Sequence, residues 1–571
     1  MIPLRLARIF GGLALMAAGA ASLAAPALEL AYRDPLSGEL MTRAYAADGQ
    51  PVDGQAVAAR VPLGSLWKLF VFAWLAESGG AAPDYVCRAG SGNDAASRRL
   101  REEEHYCCER GGAIGRDAAL VSSCGLFFEP ARLGLQAAGW RDFWTARAPG
   151  APWLAELAAM RPETLVSPAE LIFALEAVPA RAREQAAQVL LARTFGSGGE
   201  AGAVRELGGR LRIKTFSWFR PGTRERYGGG AGWLVDGTPL WFAGSGTGQQ
   251  VLARHGATLA AALPQGEAAL APGCVEVAFF SRYPLARVEL PGGKAARPGP
   301  LRGRHVAVFD NGVALPFLAS GQMRLVQQAG RPVVSGRFGV DEYVARVLDR
   351  EADASDTEAA RALAVVIRSY LFNEARREGN CLAIADSSRS QRVSANPPSA
   401  AALAVAAFTT DLVLRGAPVG YHLDTPGPGR LVWREAQAAG RAGTPWDAIL
   451  RRAFPAADLA ASRDPAGLPC ERLEQAERWL QAQAPQWHRQ LADLPGFRPP
   501  ASPPLVCRLA WGTPFSELDR GRIHVRELQT VEDRITLAHE YLHLGLRHHP
   551  ASQDEELVER WARRLTGGSF D

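Results

Sequence analysis

Two histidines four residues apart share a face only if the chain between them is α-helical, so His539-Glu540-Tyr541-Leu542-His543 demands a helix near the carboxyl end. The pattern predicts that helix over Thr530 to Arg547. On it both imidazoles can bind one zinc ion. Glu540, beside the first histidine, can reach a water held there and shuttle its proton. Such a site needs a third ligand. The chain restarts after Pro550 as a second predicted helix, Gln553 to Leu565, with an apolar stripe of Leu557, Val558, Trp561 and Leu565. Asp554 lies on that stripe and Glu555 at its edge, Glu556 and Glu559 point away, and His549 precedes the helix. Glu555, Asp554 and His549 are the candidates, and Ser552 with Glu555 also fits a capping box.

The preceding residues organise into further units. A chain of 571 residues with 47% hydrophobic and 22% charged content can bury several cores, which predicts three or four domains. The net charge is only +5, with no basic run that would line a nucleic-acid groove. Met1 to Ala24 carries Arg5 and Arg8, then an apolar core from Ile9 to Ala21, then small residues. This is a secretory signal too short and too Ala/Gly-rich for a membrane span. No later segment reads as transmembrane, and the mature chain is expected to be periplasmic or secreted. The eight cysteines are even in number and suit disulfides in an exported chain, Cys87 with Cys107 and Cys470 with Cys507 among the possible pairs. The stretch from Leu494 to Pro504 reads as a stiff connector.

Of the 64 basic residues only Lys68, Lys214 and Lys294 are lysine. Arginine cannot give up its proton at accessible pH and lysine can, so the retained lysines are candidate bases. Ser65 and Lys68, three apart at the opening of an apolar helix, place an amine near a hydroxyl, and a buried neutral lysine can deprotonate a serine for attack on a carbonyl. Val121-Ser122-Ser123-Cys124-Gly125 and Arg212-Ile213-Lys214-Thr215-Phe216 follow in order. This series resembles the S-x-x-K, S-x-N and K-T-G motifs of the penicillin-binding protein and serine β-lactamase superfamily. The resemblance implies Ser65 as nucleophile, Lys68 as its base, Ser123 as proton relay, and Lys214 with Thr215 as the holder of a substrate carboxylate. Gly125 stands in place of Asn, and Phe216 in place of Gly, where it would crowd the substrate strand.

From Cys274 the pattern turns to short alternating strands, Val275 to Phe279 and Val306 to Phe309, then to helices from Val340 through Glu351 and from Thr357 to Leu371. The Tyr343 to Glu351 run, the Ala-rich helix ending Arg368-Ser369-Tyr370, Ser390-Gln391-Arg392-Val393 and Pro418 to His422 resemble the sporulation stage-two D domain, which acts on peptidoglycan. That resemblance implies Glu351 as the acid that protonates a glycosidic oxygen. Ala352-Asp353 replaces the family's Met-Pro.

The carboxyl-terminal unit resembles the HExxH zinc peptidases. His549 has the metzincin spacing, but Gly545 is one place early and no Met-turn follows. Analogy with the glutamate-zinc peptidases therefore selects Glu555. The whole order, with its His-Glu-Tyr-Leu-His-Leu and trailing Asp-Glu helix, also resembles a secreted bacterial family carrying a domain of unknown function.

The expected fold is multidomain α+β. Residues 1–24 form the signal peptide, 28–260 a penicillin-binding-protein-like α/β domain and 270–460 a β-rich and helical sporulation stage-two D-like domain. Residues 461–504 form a helical and Pro-rich linker, and 505–571 a small zincin-like domain. The expected function is an exported envelope hydrolase acting on peptidoglycan or its peptides, with zinc as cofactor and envelope proteins as further partners. The alternative is a non-catalytic envelope or host-defence binding protein built from degenerate enzyme folds, which Gly125, Phe216 and Ala352 favour.

Overall fold

The amino-terminal unit is built on a five-stranded antiparallel sheet with side chains buried on both faces. Its strands are β1 (Leu28–Arg33), β2 (Leu40–Tyr45), β3 (Leu211–Phe219), β4 (Arg226–Leu234) and β5 (Pro239–Ser245), in the order β2-β1-β5-β4-β3. Strand periodicity divides them between two cores. Leu240 and Phe242 join Val251, Leu252 and Leu259 of the helix Gly248–Ala262 on one face. Trp241 and Ala243 join the helical lobe on the other. At the centre of that lobe is α1 (Trp67–Ser78), apolar around most of its circumference and closed by Gly79 in the left-handed region, φ 63°. A second lobe helix, α2 (Arg116–Ser122), runs up to Ser123.

This computed structural model describes residues 26–52, 57–79, 82–88, 104, 107, 113–195, 201–264, 274–378, 381–388, 390–415, 419–421, 426–427, 429–455, 457–464, 472–500, 503–508, 514–517, 521–546, 549, 552 and 554–567. The expected signal peptide lies outside them, and so does Cys470.

In the middle unit a six-stranded sheet carries Val275–Phe279 between Arg331–Phe338 and Cys381–Ala385, with a separate three-stranded sheet beside it. A Cys274–Cys381 disulfide ties the parallel pair. Two helices, α3 (Val340–Glu351) and α4 (Thr357–Glu374), fill the core with Val344, Leu348, Leu363 and Ile367. They are joined by a buried Arg368–Asp341 ion pair at 2.7 Å. Arg368 also donates to the carbonyls of Thr409 and Leu412, so the desolvated charge is well supplied with acceptors.

Close backbone approach locks the first and middle units together. Gly209 donates its N–H to Phe408 O at 2.8 Å, and a Cβ added there would stand 1.8 Å from Thr410 O. Arg205 grips Asp447 with two hydrogen bonds of 2.9 and 2.8 Å, and Leu191 and Val204 belong to the middle core.

The carboxyl-terminal unit has its own core, and it begins earlier than the sequence suggests. In α5 (Glu474–Gln490), Leu480 and Trp487 pack with Val506, Ile523, Leu542 and Val558, so residues expected as linker form one wall of this unit. Burying side chains of this size contributes roughly 2–3 kcal/mol each, enough to hold the segment in place. The connector is tied in as well. Arg498 N–H donates to Gly545 O at 2.8 Å, and the Phe497 ring fills the space beside Gly545, where an added Cβ would meet it at 2.3 Å. The sheet is three-stranded: Leu505–Arg508 parallel to Arg522–Val525, with Phe515–Glu517 antiparallel at the edge. The predicted strand Val506 to Trp511 thus appears as Leu505–Arg508, residues 509–511 lying outside the described set. Against the sheet pack α6 (Val531–Gly545) and α7 (Glu555–Thr566).

Among the described residues no helix is long and apolar enough to cross a membrane. The proposed Cys87–Cys107 pairing is corrected: Cys107 bonds Cys124, and Cys87 is engaged in another disulfide. Cys507 is also disulfide-bonded.

Candidate functional site

Helix α6 opens with a capping box between Thr530 and Asp533, which fixes its start and its rotation. One face then presents His539 and His543 to the beginning of α7. That helix is capped by Asp554, whose carboxylate accepts the Leu557 N–H at 3.0 Å. The box expected from Ser552 and Glu555 does not form: Asp554 is taken up as the cap, and Glu555 turns to the histidines. His549 lies elsewhere. Its ring rests on Gly496, where an added Cβ would approach it to 2.2 Å.

Among the described residues, His539, His543 and Glu555 form the group whose ligand atoms converge. His539 Nε2 stands 3.0 Å from His543 Nε2 and 3.1 Å from Glu555 Oε2, and His543 Nε2 stands 3.6 Å from the same oxygen. Ligands about 2.1 Å from a tetrahedral zinc ion lie about 3.4 Å apart, so the triangle has the right size. The outer nitrogens explain the orientation. His539 Nδ1 is 2.9 Å from Glu559 Oε2, and His543 Nδ1 is 3.0 Å from the Ser552 carbonyl. Both partners are acceptors, so each Nδ1 is satisfied as a donor, and each Nε2 faces the Glu555 carboxylate. In the tautomers protonated at Nδ1, the two Nε2 atoms and the Glu555 oxygen offer three ligand atoms that could hold one metal ion. Burial first, and the positive charge that His539 carries when protonated second, hold the His543 imidazole below its usual pKa, favouring the neutral form that binds metal.

Glu559 was expected to point away from the ligands. The reason it does not is the packing of the two helices: positions 555 and 559 are one turn apart on the flank of α7 that lies along α6, whereas Val558, Trp561 and Leu565 mark only the face turned to the core. Glu540 is 7% exposed, and burial raises its carboxyl to about pKa 6, opposed by the Ser516 hydroxyl 2.8 Å from Oε2. Ser516 comes from the short edge strand Phe515–Glu517, which sequence patterning missed.

The motif residues of the amino-terminal unit also meet. Ser65 sits in a 3-10 turn leading into α1, and Lys68 Nζ stands 3.3 Å from its Oγ. The same amine donates to Ser123 O at 2.6 Å and lies 3.1 Å from Ser123 Oγ. Burial first, and the nearby Arg193 charge second, bring Lys68 down to about pKa 7, so its neutral form is accessible near neutrality. Lys214 is fully buried and held well below its ordinary value by the same causes, with Lys68 adding to them. Its Nζ donates to Thr215 O at 3.0 Å, and Thr215 Oγ1 accepts from Arg193 at 3.3 Å. Phe216 does not crowd a substrate strand as expected. Its ring is buried in the core against Tyr227, and an added Cβ at Gly64 would stand 3.1 Å from its Cβ. Gly125 does face the site, since a Cβ there would lie 3.9 Å from Lys68 Nζ.

Glu351 ends α3 with both oxygens engaged. Oε1 accepts the Arg392 N–H at 2.7 Å and lies 3.3 Å from its guanidinium, and Oε2 accepts the Tyr421 hydroxyl.

A family profile described as "Predicted secreted protein (DUF2300)" matches residues 99–225 and 429–551, stretches that hold Ser123, Lys214 and Thr215 and the His539-Glu540-His543 group. The uncharacterized protein YfaQ of Escherichia coli (strain K12) is 41% identical over 506 residues, spanning 88% of this chain and 89% of its own. Among solved structures, PBP-A is 12% identical over 42% of this chain and 91% of its own, with a TM-score of 0.26. A β-lactamase from Streptosporangium roseum is 14% identical over 41% and 92%, with a TM-score of 0.24. The chain is thus a multidomain α+β protein belonging to the predicted secreted protein family DUF2300.

Proposed function

We propose that this secreted protein is a zinc-dependent hydrolase of peptides in the cell envelope, peptidoglycan peptides included, with its centre at His539, His543 and Glu555. The observation that carries the reading is the convergence of His539 Nε2, His543 Nε2 and Glu555 Oε2, with separations of 3.0, 3.1 and 3.6 Å, while the outer Nδ1 atoms are taken up by Glu559 and the Ser552 carbonyl. Zinc bound there would supply Lewis acidity toward a carbonyl and a water. Glu540 would take a proton at its carboxylate and return it to a leaving amine, and its raised pKa suits both directions of transfer. Ser516 orients that carboxylate. The Glu540→Gln variant tests the reading: it should retain the metal and lose cleavage of a mixed peptide library that the wild type cleaves. Equal cleavage by both proteins, or none by the wild type, would overturn it.

A second reading, favoured by the contacts of Lys68 with Ser65 and Ser123, is acyl transfer at Ser65. Neutral Lys68 would accept the Ser65 proton as Oγ attacks a carbonyl carbon, and Ser123 would pass a proton to the departing group. A fluorescent penicillin should label the wild type and leave Ser65→Ala unlabelled, and equal labelling of both would exclude Ser65.

A further inference from the structure

Ser123 holds its side chain and carbonyl toward Lys68 from an unusual backbone conformation, φ 65° and ψ 31°, the left-handed region that serine seldom adopts. The conformation lets one residue offer two oxygens to the same amine, at 2.6 and 3.1 Å. On one side it is anchored by α2, with Ser123 N–H donating to Leu120 O at 3.3 Å and Cys124 N–H to Ala119 O at 2.9 Å. On the other side the anchor is covalent. Cys124 is fully buried, accepts the Phe127 N–H at its Sγ, and is bonded to Cys107. The structure therefore sets a disulfide directly beside the strained residue that meets the candidate base.

We propose that the Cys107–Cys124 disulfide is a positioning element for the Ser65 site, holding Ser123 in the left-handed conformation in which it engages Lys68, so that the site is completed only after the chain is oxidised. This rests on the acyl-transfer reading of Ser65. The forming step is an exchange. The two thiols lose two protons and two electrons to a disulfide oxidant, which leaves as two thiols, and one S–S bond forms for the one consumed. Thiols of a chain still in a reducing cytoplasm stay reduced, so an exported protein would acquire this contact on arrival.

The test compares full-length mature wild type with Cys107→Ala/Cys124→Ala, and with Cys274→Ala/Cys381→Ala as a control that loses a disulfide far from Ser123. Saturation kinetics with a fluorescent penicillin separate the acylation rate from non-covalent affinity, and amide hydrogen exchange reports Ser123 and Cys124 directly. The first variant is expected to acylate at least tenfold more slowly at unchanged affinity, with exchange at both amides at least tenfold faster, while the control keeps wild-type values in the 119–128 segment. Should the first variant fail to fold, wild type reduced by a dithiol and then reoxidised supplies the same comparison, with loss and recovery expected. Unchanged exchange at Ser123 and Cys124 after the bond is removed would overturn the proposal. If wild type takes no label, the acyl-transfer reading fails, and the exchange measurement alone then decides whether the disulfide positions Ser123.

Discussion

Glu559 Oε2 lies 2.9 Å from Nδ1 of His539, one helical turn beyond the Glu555 oxygen that faces Nε2 of the same ring. One imidazole is thus gripped at both nitrogens by carboxylates of a single helix flank. With a metal ion on the inner nitrogen, the outer carboxylate would fix the tautomer and raise the basicity of that nitrogen.

Replacing Glu559 with glutamine should weaken zinc binding by about 10- to 100-fold, the usual cost of losing such a partner, without unfolding the unit. Competition with a chromophoric chelator measures it. Asp554→Asn should leave affinity nearly unchanged, because Asp554 serves the helix cap.

The pH dependence of the serine site follows from Lys68. Its pKa is brought down to about 7, so protonation disables it as a base below that pH, and deprotonation above it makes the amine available. The rate of Ser65 labelling should rise about tenfold per unit below the pKa and level off about one unit above it. Lys68→Arg should remove labelling at every pH, since guanidinium keeps its proton.

Gly125 leaves room beside that amine. Gly125→Asn should place an amide near Lys68 and raise the labelling rate about five- to tenfold, the equivalent of one added hydrogen bond of about 1–1.5 kcal/mol. Unchanged labelling would show that the glycine is neutral to the chemistry.

Gly545 is small because Phe497 occupies its flank. Gly545→Ala should destabilise the carboxyl-terminal unit by about 1–3 kcal/mol through overpacking, read as a lower Tm of that unit. Gly545→Ala combined with Phe497→Leu should recover part of the loss.

The helix bearing His539 and His543 was legible because its spacing, its Thr530 cap and its apolar rows all specify one element. Glu555 was one of three candidates on or before the next helix, and analogy with the glutamate-zinc peptidases, not its position alone, selected it. Glu559 was not legible, because a stripe read along one helix identifies its core face and says nothing of which flank another helix will lie along. Cysteine pairing failed for a similar reason: Cys87, Cys107 and Cys124 all fall in one unit, and only its three-dimensional packing selects Cys107 with Cys124. The apolar face of Trp479 and Trp487 was visible, but which core it would serve was not, so a wall of the carboxyl-terminal unit read as linker. Phe216 was judged by the residue it replaces rather than by its strand face, which alternation with Thr215 turns into the core.

The most direct test of the account is the metal content of the purified full-length protein. It predicts one equivalent of zinc per chain, lost in His539→Ala and in Glu555→Ala and retained in His549→Ala. Wild type without zinc, or zinc content unchanged in His539→Ala and Glu555→Ala, would contradict it.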